Sequence, residues 1–178
     1  MHWAERIAEE LINENPDKEE FLCAAGTSPS GSVHIGNFRD VATPLFVVEA
    51  LKRKGKKARL MLSWDEFDRL RKVPKNIAAI APDFEKYIGM PYCMIPDPHG
   101  ECESFAEYNE KEYEKSLKEL GIDIEYRYQG NEYRSGRYVD GIITAMKKRK
   151  EIYDILMKYK TQDSDEGERE TYYPIGVY

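Results

Sequence analysis

The sequence is poor in cysteine, in long apolar runs and in net positive charge, and each deficit argues against a class of protein. The three cysteines, Cys23, Cys93 and Cys102, are odd in number and unpaired by spacing, so reduced thiols in the cytoplasm are expected rather than a disulfide framework. No apolar run reaches membrane-spanning length, and the amphipathic, acidic residues 1–20 do not resemble a signal peptide. A net charge of −6 argues against affinity for nucleic acid spread over the whole surface.

The composition is that of a globular protein. Hydrophobic residues make up 41% and charged residues 34% of the 178 positions. A chain of this length forms one domain, or one domain with an insertion, and can bury a substantial core.

One short stretch indicates a chemistry. The apolar residues 21–25 predict a buried strand, and a long helical pattern begins near Val33. Between them lies a turn rich in glycine and hydroxyl residues, and His34 falls near the first turn of the helix. Such a turn is an anion site, because free N–H groups and the positive end of the helix dipole point the same way. The alternative is a tight turn with no ligand.

The turn is not a P-loop. Gly31 and Gly36 have the required spacing, but Asn37 and Phe38 stand where lysine and a metal-binding hydroxyl must be.

The remaining pattern predicts an α/β fold with a Rossmann-like parallel sheet. Strand, helix, strand, helix, strand in this order is a βαβαβ half with right-handed crossovers. Pro44 should kink the second helix or open one of its hydrogen bonds. The predicted strands are 20–25, 58–63 and 122–128; the helices are 2–14, Val33 to just before Gly55, 103–120 and 137–160; residues 74–98 are irregular and 162–170 form an acidic, flexible segment.

Two carboxylates follow the second predicted strand. In a parallel sheet, ligands bind beyond the carboxyl ends of the strands, so the loops after residues 26 and 63 should meet in one cleft. Asp65 is the first candidate partner for an ammonium group there, and Asp68 is the second. Asp68 could instead pair with the cations of 69–72 and fix the loop, while Trp64 suits a core or cleft-wall position.

The turn and the helix start resemble a known signature. The segment 34–37, His-Ile-Gly-Asn, resembles the "HIGH" signature of class I aminoacyl-tRNA synthetases. The resemblance implies that His34 and Asn37 are catalytic donors to ATP phosphates and that Gly36 lies against adenosine. Ser28 and Ser30 would offer hydroxyls to phosphate, or would cap the helix instead.

A longer series of residues narrows the resemblance to class I, archaeal-type lysyl-tRNA synthetases. The run 64–74, WDEFDRLRKVP, is similar to the WDDYDRFRKVP run of that family, and residues 2–4, 89–91, 96–98 and 103–107 follow in the family's order. The resemblance implies ATP with Mg²⁺, lysine and tRNA(Lys) as substrates and partners. It places Gly26 and Thr27 opposite Asp65 and Asp68 around the lysine.

The second signature of the class, K-M-S-K-S, has no match in the sequence. The chain is therefore expected to be the N-terminal half of a catalytic domain. It divides into 1–73 with both ligand loops, 74–101 as an irregular insertion, and 102–178 as helix, strand, helix and tail. The second half-fold and the anticodon-binding domain would be absent. We expect ATP and lysine to bind weakly and aminoacylation by this chain alone to be feeble or undetectable.

Two other functions stay open from the sequence. The chain could be a non-catalytic, synthetase-like binding or regulatory module, or a small nucleotidyltransferase of the same superfold. A zinc site at Cys93, His99 and Cys102 lacks a fourth ligand, so no metal site is predicted.

Overall fold

A computed structural model describes residues 2–159. The chain divides into two compact units, Met1–Gly130 and Asn131–Tyr178. The predicted acidic segment 162–170 lies outside the described residues, as does the last residue of the helix predicted at 137–160. The elements in chain order are α1 (Trp3–Glu14), β1 (Glu20–Thr27), α2 (Ile35–Arg53), β2 (Lys57–Trp64), α3 (Lys75–Ile80), α4 (Phe105–Glu119), β3 (Glu125–Tyr128), α5 (Gln129–Arg134), α6 (Val139–Lys147) and α7 (Arg149–Met157).

The first unit is built on a three-stranded parallel sheet in the order β1-β2-β3. β1 pairs with β2 along its whole length, from Glu20 opposite Lys57 to Thr27 opposite Trp64. β3 joins only the last four residues of β2, Met61–Trp64. The predicted α/β fold with a parallel Rossmann-like sheet is confirmed.

Helices α1, α2 and α4 supply the apolar cover of the sheet. Two clusters of buried side chains hold these layers together. One joins α2, β2 and α4, and the other joins α1, α2 and β1. Their members are Val41, Val48, Leu60, Leu62, Trp64, Tyr113 and Leu117 in the first, and Ala4, Ala8, Phe21, Val47, Ala50 and Leu51 in the second.

β1 is not buried throughout, contrary to the prediction for residues 21–25. Burial alternates along it: Phe21 is buried, whereas Leu22 is 41% exposed. The apolar run is therefore a strand with one covered face, because successive side chains point to opposite faces of a sheet.

The segment predicted as irregular at 74–98 contains α3 and two short 3-10 turns. It is ordered by an apolar cluster of its own, which also includes the start of α4. The buried members are Leu70, Ile77, Phe84, Tyr92, Ile95, Phe105 and Ala106.

Two further predictions about elements are wrong. β3 starts at Glu125 rather than 122, since its pairing with β2 begins with Glu125 opposite Met61. The helix predicted from 137 is two helices that break at Lys148, the C-cap of α6. Lys147 and Lys148 lie at the C-terminus of α6, which attracts positive charge.

Candidate functional site

The ends of the first two strands bring the predicted ligand loops together. Thr27 and Trp64 are register partners, and Trp64 in turn pairs with the last residue of β3. The main-chain N–H of Asp65 donates to the carbonyl oxygen of Thr27 at 2.9 Å. Across the loops, Ser28 Oγ donates to Asp68 Oδ2 at 3.1 Å. The predicted convergence of the two loops is confirmed.

His34 is the N-cap residue of α2 and is exposed. Its Nδ1 accepts the main-chain N–H of Gly36 at 3.1 Å. In a neutral imidazole, an accepting Nδ1 leaves the ring proton on Nε2. The cap therefore fixes both the tautomer and the orientation of the ring, and Nε2 becomes the nitrogen able to donate to a ligand.

Gly36 is required by this cap on steric grounds. A Cβ at residue 36 would lie 2.8 Å from Cε1 and 2.9 Å from Nδ1 of His34. Atoms do not approach that closely, so a side chain at position 36 would displace the ring. The resemblance assigns Gly36 to adenosine; within the chain, its contact is with His34.

Asn37 ties the helix start to the end of β1. Its Oδ1 accepts the main-chain N–H of His34 at 3.3 Å, and its Nδ2 donates to Thr27 Oγ1 at 3.3 Å. Thr27 is only 8% exposed. These contacts give Asn37 a structural role and leave one amide N–H of its side chain for a ligand.

Two cavities adjoin one another at this corner. The first, which we call the corner cavity, has a volume of about 460 Å³ and the second, the loop cavity, about 410 Å³. They share Ser28, Ser30 and Pro74. The corner cavity is lined in addition by Gly31, Ser32, Val33, His34, Asn37 and Asn76, and the loop cavity by Asp68, Arg71, Lys72 and Tyr92. The sequence allowed Ser28 or Ser30 to cap α2. Neither serine does so, because His34 is the N-cap residue of this helix.

Asp65 lies beside Gly26 at the tip of β2. A Cβ on Gly26 would be 3.7 Å from Asp65 Oδ2, which is ordinary contact. Burial, and secondly the charge of Asp68, raises the pKa of Asp65. Among the described residues no donor or cation contacts its carboxylate, so Asp65 is a half-buried acceptor that a cationic ligand would stabilise. Asp68, by contrast, is already engaged by Ser28.

Sequence reasoning missed three residues of the loop cavity. From the sequence, Arg71 and Lys72 are candidate partners for Asp68 only, and Tyr92 is not predicted to reach the site. The signal in the sequence was the position of the basic run directly after the acidic tip of β2. No signal in the sequence indicated Tyr92. It reaches the cleft from the 74–98 segment, where its main-chain N–H donates to Asp68 O at 3.0 Å.

Two buried carboxylates beneath the cleft were also missed. Glu66 is 4% exposed and accepts the main-chain N–H groups of Gln129, at 2.9 Å, and Gly130. Burial raises the pKa of Glu66, although these hydrogen bonds oppose the rise. Glu110 is 6% exposed, and its Oε1 has no hydrogen-bond partner within residues 2–159. Burial, with nearby carboxylates, raises the pKa of Glu110 to about 8.

Two positions were predicted for Trp64, the core and the cleft wall, and the structure places it in the core. It is fully buried, and its Nε1 donates to Glu114 Oε1 at 2.9 Å. Tyr128 OH donates to the same oxygen at 2.8 Å. One carboxylate therefore joins the ends of β2 and β3 to α4.

Within residues 2–159 no group of three or more His, Cys, Asp or Glu side chains is arranged to hold a metal ion. The His99 ring stacks on Tyr108, with centroids 4.1 Å apart. No helix in the described part of the chain is long and apolar enough to cross a bilayer.

Comparison with known proteins gives relatives along the whole sequence. A lysine–tRNA ligase from Treponema pallidum (strain Nichols) is 39% identical over 178 residues, 100% of this chain and 33% of its own length. One from Pyrococcus horikoshii is 38% identical over 178 residues, 100% of this chain and 34% of its own. One from Streptomyces coelicolor is 37% identical over 165 residues, 90% of this chain and 28% of its own.

The chain thus spans about a third of the length of these curated relatives, and it matches their N-terminal part. The family described as tRNA synthetases class I (K) matches residues 1–178. Since that match covers every residue, the chain belongs to the family of class I tRNA synthetases of the lysine type.

Proposed function

We propose that this chain is the part of a lysine–tRNA ligase that binds ATP and lysine for the formation of lysyl-adenylate. In the proposed reaction the lysine carboxylate attacks the α-phosphorus of ATP and releases pyrophosphate, and a ribose hydroxyl of tRNA(Lys) then takes the lysyl group. The observation that carries the proposal is the exposed His34, oriented by its own cap at the mouth of the corner cavity, beside a half-buried acidic strand tip. A cytoplasmic location goes with this function.

His34 is the main phosphate donor in this proposal. Nε2 is the ring nitrogen that the cap leaves unused, and the dipole of α2 adds positive potential at this end of the helix. No side-chain nucleophile is required, because the reaction needs positioning and stabilisation of charge that grows on phosphate oxygens. Asn37 holds the corner through Thr27 and offers one remaining amide N–H.

Asp65 is the proposed partner of a lysine ammonium group. Its carboxylate has no cation among its described neighbours, and its raised pKa is the sign of an acceptor whose charge is poorly compensated. Gly26 keeps the approach to it open. Thr27 has an indirect role: its Oγ1 accepts a hydrogen bond from Asn37, and its main-chain carbonyl accepts one from Asp65. Asp68 is a second carboxylate for the same ligand, held in place by Ser28.

Mg²⁺ enters this proposal with ATP, as part of the substrate. The described residues contain no dedicated cage for a metal, which suits an ion that keeps several waters and binds mainly to phosphate oxygens.

The test separates two roles of His34, capping α2 through Nδ1 and donating to phosphate through Nε2. His34→Asn keeps a good N-cap but removes Nε2, whereas His34→Ala removes both. ATP affinity of the chain, measured by titration calorimetry, should fall roughly tenfold in both variants, the effect expected for one hydrogen bond to a charged group. The free energy of unfolding should fall only in His34→Ala, by about 1 kcal/mol.

His99→Asn, which alters a histidine outside both cavities, is the matched control for binding and should leave ATP affinity unchanged. Lysine-dependent ATP–pyrophosphate exchange is the second readout, expected to be slow in this chain. Unchanged ATP affinity in His34→Asn would contradict the role of His34, and absence of ATP and lysine binding by the wild-type chain would favour a non-catalytic module.

A further inference from the structure

The loop cavity contains two cations to which the proposed function gives no role. It shares Ser28, Ser30 and Pro74 with the corner cavity, so the two are adjoining parts of one cleft. Its lining differs in charge from that of the corner cavity, which carries only neutral hydrogen-bonding groups and apolar side chains. Two cations, Arg71 and Lys72, line the loop cavity on the far side of the shared serines.

These two cations have no carboxylate partner among the described residues. Elsewhere in the chain, cations commonly do, as in Arg53–Glu5, Arg59–Glu125 and Lys86–Asp83. The adjacent carboxylate of Asp68 accepts from Ser28 rather than from either cation. The cavity therefore holds one negative and two positive side chains, in a chain whose net charge is −6.

Tyr92 adds a neutral hydrogen-bond donor to the lining of the loop cavity. The residue is 6% exposed, with its ring packed on Phe105, yet it lines the loop cavity. Its hydroxyl has no hydrogen-bond partner in the described part of the chain. Burial, and secondly the charge of Asp68, raises the pKa of Tyr92, so the phenol is a neutral donor. The hydroxyl is not enclosed by protein, so it can donate to a molecule bound in the cavity.

We propose that the loop cavity binds the polyphosphate end of the nucleotide, with Arg71 and Lys72 as charge partners and Tyr92 and Ser30 as neutral donors. The inference rests on the proposed function, in which ATP occupies the corner cavity. A small polyanion is favoured over the backbone of an RNA, because the loop cavity shares Ser28, Ser30 and Pro74 with the cavity proposed for the nucleotide. Arg71 and Lys72 would then supply positive charge to the phosphates from this half of the fold.

The test measures binding of inorganic pyrophosphate and of ATP to the chain by titration calorimetry. Arg71→Gln and Lys72→Gln should each weaken both ligands roughly tenfold, and the double variant roughly a hundredfold, as expected for charge-assisted hydrogen bonds. Affinity for adenosine should stay within about twofold. Arg69→Gln removes the same charge from the same loop but outside both cavities, so it is the matched control and should bind like the wild type. Tyr92→Phe keeps the ring but removes the hydroxyl, so it should weaken the binding of pyrophosphate and of ATP to a similar extent.

Unchanged pyrophosphate affinity in the double variant would overturn the inference. Retained ATP binding that still responds to His34→Asn would then leave the proposed function standing. Loss of tRNA binding in the double variant with intact pyrophosphate binding would also overturn it, in favour of an RNA contact. Conversely, pyrophosphate binding that depends on Arg71 and Lys72 supports the subsite even if lysine-dependent exchange is absent, a result that would count against the proposed function alone.

Discussion

Replacing Glu110 by glutamine is expected to stabilise the chain, and to do so more strongly as pH rises. Glu110 is 6% exposed, and none of the residues that the structure describes makes a hydrogen bond with its Oε1. Burial raises its pKa from the ordinary 4.5 to about 8, and the charges of Glu66, Glu114 and Glu107 contribute. The folded chain therefore keeps a proton on Glu110 at neutral pH that the unfolded chain has lost.

The sign and size of the effect follow from that proton. Between 4.5 and about 8 the folded state binds more protons than the unfolded state, so the free energy of unfolding falls as pH rises. Each pKa unit corresponds to about 1.36 kcal/mol. Glutamine has no such proton to lose, so the advantage of Glu110→Gln should grow by about 3 kcal/mol between about pH 5 and pH 8. That is a large part of the stability of a typical domain.

Urea denaturation of the wild type and of Glu110→Gln, followed by circular dichroism across this pH range, measures the difference. Glu112→Gln, an exposed substitution on the same helix, is the matched control and should give a constant offset. A stability difference for Glu110→Gln that does not change with pH would refute the reasoning, since it would mean that Glu110 titrates alike in the folded and unfolded chain.

Three further predictions concern the cleft and its support. Measured by calorimetry, Asp65→Asn should weaken lysine binding roughly tenfold and leave ATP affinity unchanged. Because the pKa of Asp65 is raised, the affinity of the wild type for lysine should fall as the pH drops through that raised pKa. Gly36→Ala should displace the His34 ring and lower ATP affinity as much as His34→Asn does, although alanine favours a helix; equal affinity would show that the ring relaxes without loss. Glu114→Ala should cost about 2–4 kcal/mol in urea denaturation, because Trp64 and a tyrosine hydroxyl lose their acceptor, whereas Glu114→Gln should cost less.

The sequence predicted the parts of the fold that depend on local signals. The parallel sheet followed from the order of apolar runs, and the end of α2 from Gly55, which lies in the left-handed region at φ +79°. In the helix predicted at 103–120, Phe105, Tyr113 and Leu117 are buried as their spacing required, whereas Leu120 is 64% exposed. Leu120 follows the last residue of α4, so the helical period no longer determines its direction.

The site was predictable where a motif fixed it and not where long-range packing did. His34 stands at the helix start because the pattern is local. The positions of Arg71 and Tyr92 beside Ser28 depend on how residues 74–98 fold back on the β2 loop, through contacts such as Leu70 N–H to Met90 O at 2.8 Å. Glu110 was hidden for a similar reason, since its burial depends on what covers α4.

β1 has a hydrogen-bonded neighbour on one side only among the described strands. Its outer rim is a row of main-chain donors and acceptors open to further strand addition. A polypeptide that paired with this edge of β1 would bind the segment that leads directly into Thr27 and the corner at His34. Occupancy of this edge would thereby bear on the corner at which the proposed nucleotide site lies.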